Sequence, residues 1–467
     1  GKMLGGCSSN NAMIYIRGHK NDYDEWEKMG NQGWSYKDVL PYFKKAEHNE
    51  TITDEYHGKG GPININNRNY TNHLSDVFVE AGQELGYSKN DDFNGAEQDG
   101  FGYFQVNHIG GERCSAAKAY LHPAESRDNL SVEIKAEVEK IIIEDKIAKG
   151  VVYHQEGKRK EVYANKEVIL SGGAYNSPKV LMLSGVGDKD ELKKVGIDAV
   201  HHLPHVGKNL QDHMVFFVMF NSTYKKTLDA AERFPMVVKN LTNYLISKRG
   251  PFSSNVGEAG AFVRSSTDKP NPDIQYHFAP AFFVEHGLKS PKTGNGYSIG
   301  GKILNPSSKG SVFLASRNYQ DKPLIDHNYM STDDDVKRAV WGYKLANQIG
   351  KSKAFARHYD SHFIPGKSLE DDKEIEEFIR NTGETLYHPT STCRMGKEGE
   401  AVVNHELKVY GIANLRIVDA SVMPRIVSGN THAPTIMIAE KIADTILGKQ
   451  TELSQELNLQ QEQASRT

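Results

Sequence analysis

The sequence is poor in cysteine and has no long apolar run, and each absence argues against a class of protein. Its 467 residues include three cysteines, an odd number placed far apart at Cys7, Cys114 and Cys393. This spacing argues against a disulfide framework and a cysteine-based zinc site. The longest strongly apolar run, Met214–Phe220, is far shorter than the about 20 residues of a bilayer span, so we interpret it as a buried β-strand.

An excess of charge of either sign is also missing. Lys and Arg total 57 and Asp and Glu total 60, which gives a formal net charge of -3. Nothing in this balance points to nucleic acid as a partner or to an acidic tail. The opening residues, GKMLGGCSSNN, have neither the apolar stretch nor the cleavage site of a signal peptide.

Several common catalytic motifs are absent as well. The sequence has no Walker A loop and no complete G-x-G-x-x-G. His358 and His362 have i, i+4 spacing, and His201, His202 and His205 form a second group. Neither group has the remaining ligands of a zinc protease, so we predict solvated surface histidines and no metal site.

Glycine is abundant, with 42 residues that cluster in short patches. Such patches are typical of tight turns and of places where backbone approaches a ligand closely. Lys166–Ser171 is predicted to be a strand, followed by the pair Gly172–Gly173 and a helix that Gly185 ends. The N-terminus of a helix in such a strand–turn–helix unit can bind an anion.

The middle of the chain, from about Met214 to Ile379, has alternating β-type runs, which predict an antiparallel sheet with helices. One helix is predicted after Thr332 as N-cap, with Val336, Val340 and Tyr343 on its apolar side. Other strands are predicted at Leu130–Ile134, Glu139–Ile143, Gly150–His154, Ile274–Phe278, Ser311–Ala315 and Leu415–Asp419. Other helices are predicted at Lys37–Glu47 and Thr435–Leu447, the latter with Ile438, Ala439, Ile442 and Ile446 facing inward.

Three patches could carry chemistry. The opening GKMLGGCSSNNAMIYIRG is equally consistent with a cofactor loop and with a glycine-rich turn, and the spacing in Gly172–Asp188 favours an ordinary βα loop. In the third patch, His388 precedes a proline, and Asn430 and His432 lie before an apolar helix. An imidazole, with a pKa near 6.5, suits removal of a proton from an alcohol, although the residues alone favour a hydrogen-bonded core histidine.

At these patches the sequence resembles the glucose–methanol–choline (GMC) family of FAD oxidoreductases. Residues 1–18 resemble the first family signature, with Cys7 in place of the usual serine, and residues 173–187 resemble the second. HPTSTCRMG and the segment LRIVDASVMP to SGNTHAPTIMIAEK resemble the C-terminal block. NPSSKGSVFLASRN and KPLIDHNYMSTDDDV are most similar to an insect glucose dehydrogenase-like branch.

The resemblance implies an α/β plus α+β fold, with a discontinuous FAD-binding domain and an antiparallel-sheet substrate domain. We predict that residues 1–213 and 380–448 form the FAD-binding domain and 214–379 the substrate domain, with a polar tail at 449–467. The family's opening βαβ unit with G-x-G-x-x-G is not found, so we expect the chain to be truncated at its N-terminus.

The resemblance also implies roles for individual residues. His388 takes the place of the catalytic histidine, His432 the place of the second catalytic residue, and Asn430 is a second candidate for that role. Glu258 resembles a position that holds a cationic group in choline-oxidising relatives. The implied cofactor-binding residues are Gly5, Gly6, Ser8, Asn11, Ala12, Met13, Val138, Gly172, Asp419, Ala420 and His432.

The implied activity is oxidation of an alcohol or sugar CH–OH group by hydride transfer to FAD. A quinone or another acceptor would then reoxidise the flavin, and oxygen is the alternative acceptor. A second alternative is a catalytically inactive relative that serves as a binding protein, which the missing dinucleotide unit motivates. Secreted members of the resembling branch lead us to expect an extracellular location for a full-length parent.

Overall fold

The structure is a computed structural model that describes residues 1–285, 287, 289 and 291–449. The predicted polar tail therefore lies almost entirely outside the described residues. The helices are α1 (Lys20–Lys28), α2 (Tyr36–Ala46), α3 (His73–Glu84), α4 (Gly173–Leu183), α5 (Lys189–Lys194), α6 (Leu228–Ala231), α7 (Met236–Ser247), α8 (Asp333–Gly350), α9 (Asp372–Thr382) and α10 (His432–Leu447).

The strands are mostly short and belong to several small sheets and one large one. They are β1 (Glu47–Asn49), β2 (Ile63–Ile65), β3 (Gly100–Tyr103), β4 (His108–Ile109), β5 (Glu112–Arg113), β6 (Glu137–Glu144), β7 (Ile147–Gln155), β8 (Lys158–Tyr163), β9 (Val168–Leu170), β10 (Val186–Gly187), β11 (His201–His202), β12 (Lys208–Leu210), β13 (Met214–Ser222), β14 (Ala259–Val263), β15 (Ile274–Ala279), β16 (Gly296–Ile303), β17 (Gly310–Phe313), β18 (Leu324–Asp326), β19 (Tyr359–Ile364), β20 (Glu384–Thr385) and β21 (Leu415–Ile417).

The large sheet is antiparallel and has seven strands in the order β19-β13-β16-β15-β14-β3, with β20 also paired to β13. Its middle strands are almost entirely buried, and polar side chains on them, such as Gln275 and Lys302, are buried as well. Helices α3 and α8 pack against it around Phe78, Phe216, Tyr276 and Tyr343. At Gly301 an added Cβ would lie 2.5 Å from the Phe216 ring, so this strand requires glycine there.

A second core lies around the parallel pair β9 and β21, which align Val168 with Leu415. Helices α1, α2 and α10 contribute its largest side chains. The indole N–H groups of Trp26 and Trp34 donate to the carbonyls of Arg425 and His405 at 3.0 and 2.9 Å. These bonds tie the N-terminal helices to the C-terminal segment, so one core is built from both ends of the chain.

The predicted mixed fold, with its antiparallel substrate sheet, is confirmed, and so is the buried strand that begins at Met214. Helix α8 begins as expected, because the Thr332 hydroxyl accepts a hydrogen bond from the Asp335 amide. The large sheet also contains β3, which precedes Met214 by more than a hundred residues. The division into domains at Met214 and Ile379 stays a prediction.

Two expectations about secondary structure were wrong. Leu130–Ile134 is not a strand, because its apolar side chains are exposed and no described strand pairs with it. On α10, Ile438 and Ile442 are buried as predicted, but Ala439 and Ile446 are exposed. The buried side of this helix is narrower than its apolar sequence suggests.

The structure also shows the state of the cysteines and the length of the apolar helices. Cys7, Cys114 and Cys393 are all free thiols. Within the described ranges, no helix has both the length and the apolar composition that crossing a bilayer would need.

Candidate active site

His388 lies in a loop that follows β20, beside the end of the segment before β13. The His388 amide donates to Asp212 Oδ1 at 2.9 Å, and the Leu386 amide donates to the His213 carbonyl at 2.8 Å. A further antiparallel bridge joins Gln211 to Thr390. Residues 211–213 and 386–390 therefore run side by side, and this pairing fixes the position of the His388 ring.

Hydrogen bonds determine which nitrogen of each histidine carries the proton. His213 Nε2 lies 2.7 Å from the Leu304 carbonyl, which can only accept, so this nitrogen is protonated and His213 Nδ1 is an acceptor. His388 Nδ1 lies 3.0 Å from that acceptor, and we assign the proton of the His388 ring to this nitrogen. The lone pair of neutral His388 is therefore on Nε2, where the Asn430 amide donates to it at 3.2 Å.

A lysine shares this buried space. Lys302, on β16, places its Nζ 3.2 Å from His213 Nδ1 and 3.5 Å from both His388 Nδ1 and the Gly429 carbonyl. Burial lowers the pKa of Lys302 well below its usual value. Burial, followed by the charges of Lys302, His213 and His277, lowers the pKa of His388 well below 6.5. His388 is therefore neutral at physiological pH.

Asp212 supports the same loop from behind. Its carboxylate accepts the backbone amides of His213 and His388, and the hydroxyls of Tyr329 at 2.5 Å and Thr385 at 2.6 Å. Burial raises the pKa of Asp212, and the hydrogen bonds from Thr385, Tyr329 and the His388 amide oppose the rise. Asp212 contacts the His388 backbone and makes no hydrogen bond to either ring, so it positions the base without pairing with it.

His432 is the first residue of α10 and has a different environment. Burial, together with the nearby Arg113 charge, lowers its pKa to about 4. Among the described residues, neither of its ring nitrogens has a hydrogen-bond partner, and Asn430 Oδ1 also lacks one. Buried polar atoms without partners are costly, so these three atoms are the ones that a ligand would satisfy.

The predicted N-terminal cofactor loop has unusual backbone. Gly5 and Gly6 have φ of +81° and +56°, in the region that glycine tolerates best. Ser8 Oγ donates to the Gly5 carbonyl at 2.5 Å and accepts the Ala116 amide at 2.8 Å. The loop is thus closed on itself and fastened to the segment that begins the helical turn at 117–121.

Asn11, Ala12 and Met13 continue this loop toward His432. Asn11 Oδ1 accepts from the Met13 amide at 3.0 Å and from Arg113 at 2.6 Å, and Met13 has φ of +61°. Arg113 is also the charge that acts on His432, so the structure brings the N-terminal loop and the start of α10 together. Arg113 was not singled out from the sequence, because only the fold places it between two distant segments.

The glycine pair before α4 is closed by an internal carboxylate. The Gly173 amide donates to Asp419 Oδ2 at 2.8 Å, and Ser177, whose hydroxyl accepts the Gly172 amide, donates to the same oxygen at 2.5 Å. The Asp419 carboxylate thereby occupies the N-terminus of α4, where such a strand–turn–helix unit can bind an anion. Ala420 follows Asp419, and its carbonyl accepts the Ser391 amide at 3.3 Å, so both residues support the His388 loop.

Two predicted residues lie apart from this cluster of contacts. Val138 is on β6, in the three-stranded sheet β6-β7-β8, where it pairs with Tyr153. Glu258 is fully buried, and its carboxylate accepts from the Asn72 amide and from the hydroxyls of Ser75 and Ser254 at 2.6 to 2.7 Å. These bonds place the carboxylate at the N-terminus of α3. A role for either residue in ligand binding stays a prediction.

The residues around His388 and His432 fit the ring end of a flavin. A flavin ring carries acceptor and donor atoms along its edges, and the unpartnered nitrogens of His432 and Oδ1 of Asn430 can pair with such atoms. The left-handed backbone at Gly5, Gly6 and Met13 lets main-chain atoms approach a flat ligand closely.

Family models for GMC oxidoreductase match this chain at residues 1–215 and 306–439. The chain belongs to the GMC oxidoreductase family. The family predicted from the sequence motifs is thereby confirmed, and these two matched ranges contain His388, Asn430 and His432 as well as the N-terminal loop.

Curated relatives match nearly the whole chain. The alcohol dehydrogenase [acceptor] of Pseudomonas putida is 44% identical over 453 residues, which cover 96% of this chain and 82% of the relative. The mitochondrial choline dehydrogenase of Homo sapiens is 44% identical over 452 residues, which cover 96% of this chain and 76% of the relative. Both relatives are named as dehydrogenases, which agrees with the predicted oxidation of a CH–OH group.

Solved structures show the same fold. Pyridoxine 4-oxidase from Mesorbium loti has a TM-score of 0.86 and 30% identity, with 95% of this chain and 84% of that chain covered. Formate oxidase from Aspergillus oryzae RIB40 has a TM-score of 0.90 and 26% identity, with 97% and 85% covered. The GMC oxidoreductase fold therefore extends over nearly all of this chain.

Proposed function

We propose that the protein oxidises the CH–OH group of an alcohol by hydride transfer to FAD, with His388 as the base. The observation that carries this proposal is the pair of hydrogen bonds on His388. Nδ1–H donates to His213, and the Nε2 lone pair faces Asn430. A neutral imidazole that makes no carboxylate contact can accept a proton at physiological pH.

FAD, when bound, supplies the hydride acceptor. His388 Nε2 takes the hydroxyl proton of the alcohol after the Asn430 amide turns from His388 to the substrate oxygen. The Asn430 amide N–H and the ring N–H of His432, whose ring nitrogens have no partner among the described residues, then donate hydrogen bonds to the developing alkoxide. The His388 Nδ1–H bond to His213 is kept throughout and prevents the ring from turning.

The proposal also names the electron acceptor that reoxidises the flavin. We propose a quinone or a similar acceptor, and the name of the Pseudomonas putida relative, alcohol dehydrogenase [acceptor], supports this. Oxygen is the alternative, because the oxygen-dependent choline dehydrogenase of Rhizobium johnstonii is 40% identical to this chain. The residues around His388 favour neither acceptor.

The substrate can be narrowed only to an alcohol. The names of the relatives support alcohols or choline, so the predicted glucose dehydrogenase-like branch and a sugar substrate remain predictions. For choline, Glu258 would have to bind the cation, but its carboxylate is already satisfied by three donors. We therefore propose an uncharged alcohol. An extracellular location also remains a prediction.

The proposal is tested by reducing the flavin with substrate. The purified chain is incubated with FAD, desalted and mixed anaerobically with uncharged primary alcohols, choline or glucose while the oxidised-flavin absorbance is followed. We expect an uncharged alcohol to bleach the flavin, and a water-soluble quinone to restore its colour faster than air does.

Each other outcome contradicts a stated part of the proposal. A chain that keeps flavin but is bleached by none of these compounds would support the inactive binding protein instead. A chain that retains no flavin would show that it does not act alone as the enzyme. Faster reoxidation by air would make the protein an oxidase.

A further inference from the structure

Helix α7 exposes an apolar stripe to solvent. Phe234, just before the helix, and Val238, Leu241 and Leu245 on it follow one another at spacings of four, three and four residues. Their exposed fractions are 85%, 57%, 47% and 63%. This spacing places Val238, Leu241 and Leu245 on one side of the helix, and we call these three together with the exposed Phe234 the α7 stripe.

One narrow side of the helix contacts the rest of the protein. Asn240, the only residue of α7 that is fully buried, donates to the Ala231 carbonyl at 3.0 Å. The Tyr244 hydroxyl lies 3.4 Å from the Gly111 carbonyl. Lys248, at the C-terminal end, forms an ion pair with Glu112 at 3.1 Å. The stripe therefore points outward because the other side of α7 is held.

The sequence around the stripe is rich in cations, one of which, Lys248, is paired with Glu112. Residues 223–250 contain six Lys or Arg residues and only two acidic residues, Asp229 and Glu232, and Asp229 is buried. The six cations are Lys225, Lys226, Arg233, Lys239, Lys248 and Arg249. An exposed apolar row with Lys and Arg beside it is the pattern of a helix that lies in the interface of a membrane.

We propose that the α7 stripe docks this protein onto the surface of an anionic phospholipid bilayer. The four apolar side chains would enter the boundary between headgroups and acyl chains, and the cations would contact lipid phosphates. At 12 residues α7 is about 18 Å long, which is too short to span the hydrocarbon core of about 30 Å, so the helix lies flat.

A second copy of the chain is a less suitable occupant. In a two-fold dimer the same patch faces itself, so the cations of one copy would lie against those of the other. Such like-charge contacts oppose association, whereas anionic lipid headgroups neutralise the same residues. Charge complementarity therefore selects the bilayer.

Docking here would orient the candidate active site. The segment after α7 leads directly to the N-terminal loop, because Asn255 donates to the Ala12 carbonyl at 3.2 Å. The segment 246–254 thus connects the α7 stripe to the loop that contains Ala12 and Met13. The docking itself does not depend on the proposed function.

The experiment is flotation of the full chain with vesicles of neutral phosphatidylcholine, with and without anionic phosphatidylglycerol. We expect binding to the anionic vesicles and at least tenfold weaker binding to the neutral ones. The triple variant V238S/L241S/L245S should lose at least tenfold in binding, and K239E should lose about fivefold or more. V162S, which changes a half-exposed valine on β8, is the matched control and should bind normally.

Circular dichroism and the melting temperature identify any variant that fails to fold. If the triple variant does not fold, K239E, which alters only a surface charge, still tests the proposal. Equal binding of the wild type and the triple variant to anionic vesicles would overturn the proposal. So would equal binding to neutral and anionic vesicles. A concentration-dependent dimer in light scattering that the triple variant abolishes, without vesicle binding, would assign the stripe to a second copy instead.

Discussion

Two buried clusters in this protein contain histidine, and they hold it in opposite charge states. The base cluster consists of His213, Lys302 and His388. The ion cluster consists of Arg17, Glu47, His57 and Asp92, in which His57 Nδ1 lies 2.7 Å from Glu47 and Nε2 lies 2.9 Å from Asp92. Arg17 also pairs with Glu47.

The partners, and not the burial, decide the charge. Burial would lower the pKa of His57, but hydrogen bonds to Asp92 and Glu47 outweigh it and raise the pKa to about 9. His388 makes no carboxylate contact on either ring nitrogen, so burial and the cation beside it lower its pKa. One cluster therefore stabilises the fold with charge, while the other keeps a base free of protons.

The same contacts account for a group of ligand-like atoms beside the ion cluster. The ligand atoms of Asp54, His57 and Asp92 lie within 4.8 Å of one another, which resembles a metal-binding group. Both ring nitrogens of His57 already donate to carboxylates and are protonated at neutral pH. A protonated ring has no lone pair for a metal, so these residues act as an ion network.

The largest effect is expected from removing the base itself. His388→Ala should lower the rate of flavin reduction by an alcohol about 10²- to 10⁴-fold, because nothing else accepts the hydroxyl proton. Stopped-flow absorbance measures the rate, and the flavin content should not change. His405→Ala, which removes an exposed imidazole, is the control and should react normally. An unchanged rate in His388→Ala would show that His388 is not the base.

Breaking the ion cluster should affect stability and leave the chemistry intact. His57→Gln should lower the free energy of unfolding by about 3–5 kcal/mol, because it leaves two buried or half-buried carboxylates without their shared cation. Chemical denaturation measures this change. Removing His154, a partly exposed histidine that pairs with Glu139, should lower the free energy of unfolding far less. Equal losses in the two variants would contradict a special role for the buried cluster.

The pH dependence of stability distinguishes the clusters further. The folded-state pKa of His57 is raised to about 9 from 6.5, so its contribution is complete below pH 6.5 and is lost as the pH rises through about 9. Melting temperatures measured across this range should fall for the wild type. The decline should be smaller in His57→Gln, and parallel curves would show that His57 is not protonated in the fold.

Lys302 gives a smaller effect, on the pH dependence of the reaction. Lys302→Met removes the cation that helps to hold down the pKa of His388, while His213, His277 and Asp212 remain around the ring. The acid limb of the kcat/KM profile should therefore move to higher pH. Lys344→Met, on the solvent side of α8, is the control and should leave the limb in place. An unmoved limb in Lys302→Met would mean that Lys302 only fills space.

His432 should give the smallest change among the active-site residues. An asparagine at this position keeps one donor and one acceptor, so His432→Asn should alter turnover by about tenfold or less. His432→Ala leaves the substrate oxygen without this partner and should reduce turnover further. Steady-state rates of the two variants, compared at equal flavin content, test this order. The reverse order would assign the alkoxide contact to Asn430 alone.

Local sequence predicted the elements well, because their signals are local. The apolar run of β13, the Thr332 cap of α8 and the strand before Gly172 each depend on neighbouring residues. The prediction of a strand at Leu130–Ile134 was wrong because pairing decides whether such an apolar stretch becomes a strand, and none of the described strands pairs with it.

Individual site residues could be predicted from the sequence, but the contacts between them could not. Motifs indicated His388, Asn430 and His432, but not that Asn430 is the one that contacts the His388 ring. Lys302 could not be found, because only the register that aligns it with Val215 places it beside His213. The Asp419 carboxylate at α4 likewise depends on a contact across 246 residues of sequence.

The most direct test of the two charge states is NMR of the protein with ¹⁵N-labelled histidine at neutral pH. The variants His388→Ala and His57→Gln assign the two rings by the signals that disappear. We predict that His388 is neutral with its proton on Nδ1, and that His57 is protonated on both nitrogens. A doubly protonated His388, or a neutral ring with its proton on Nε2, would contradict its role as the base.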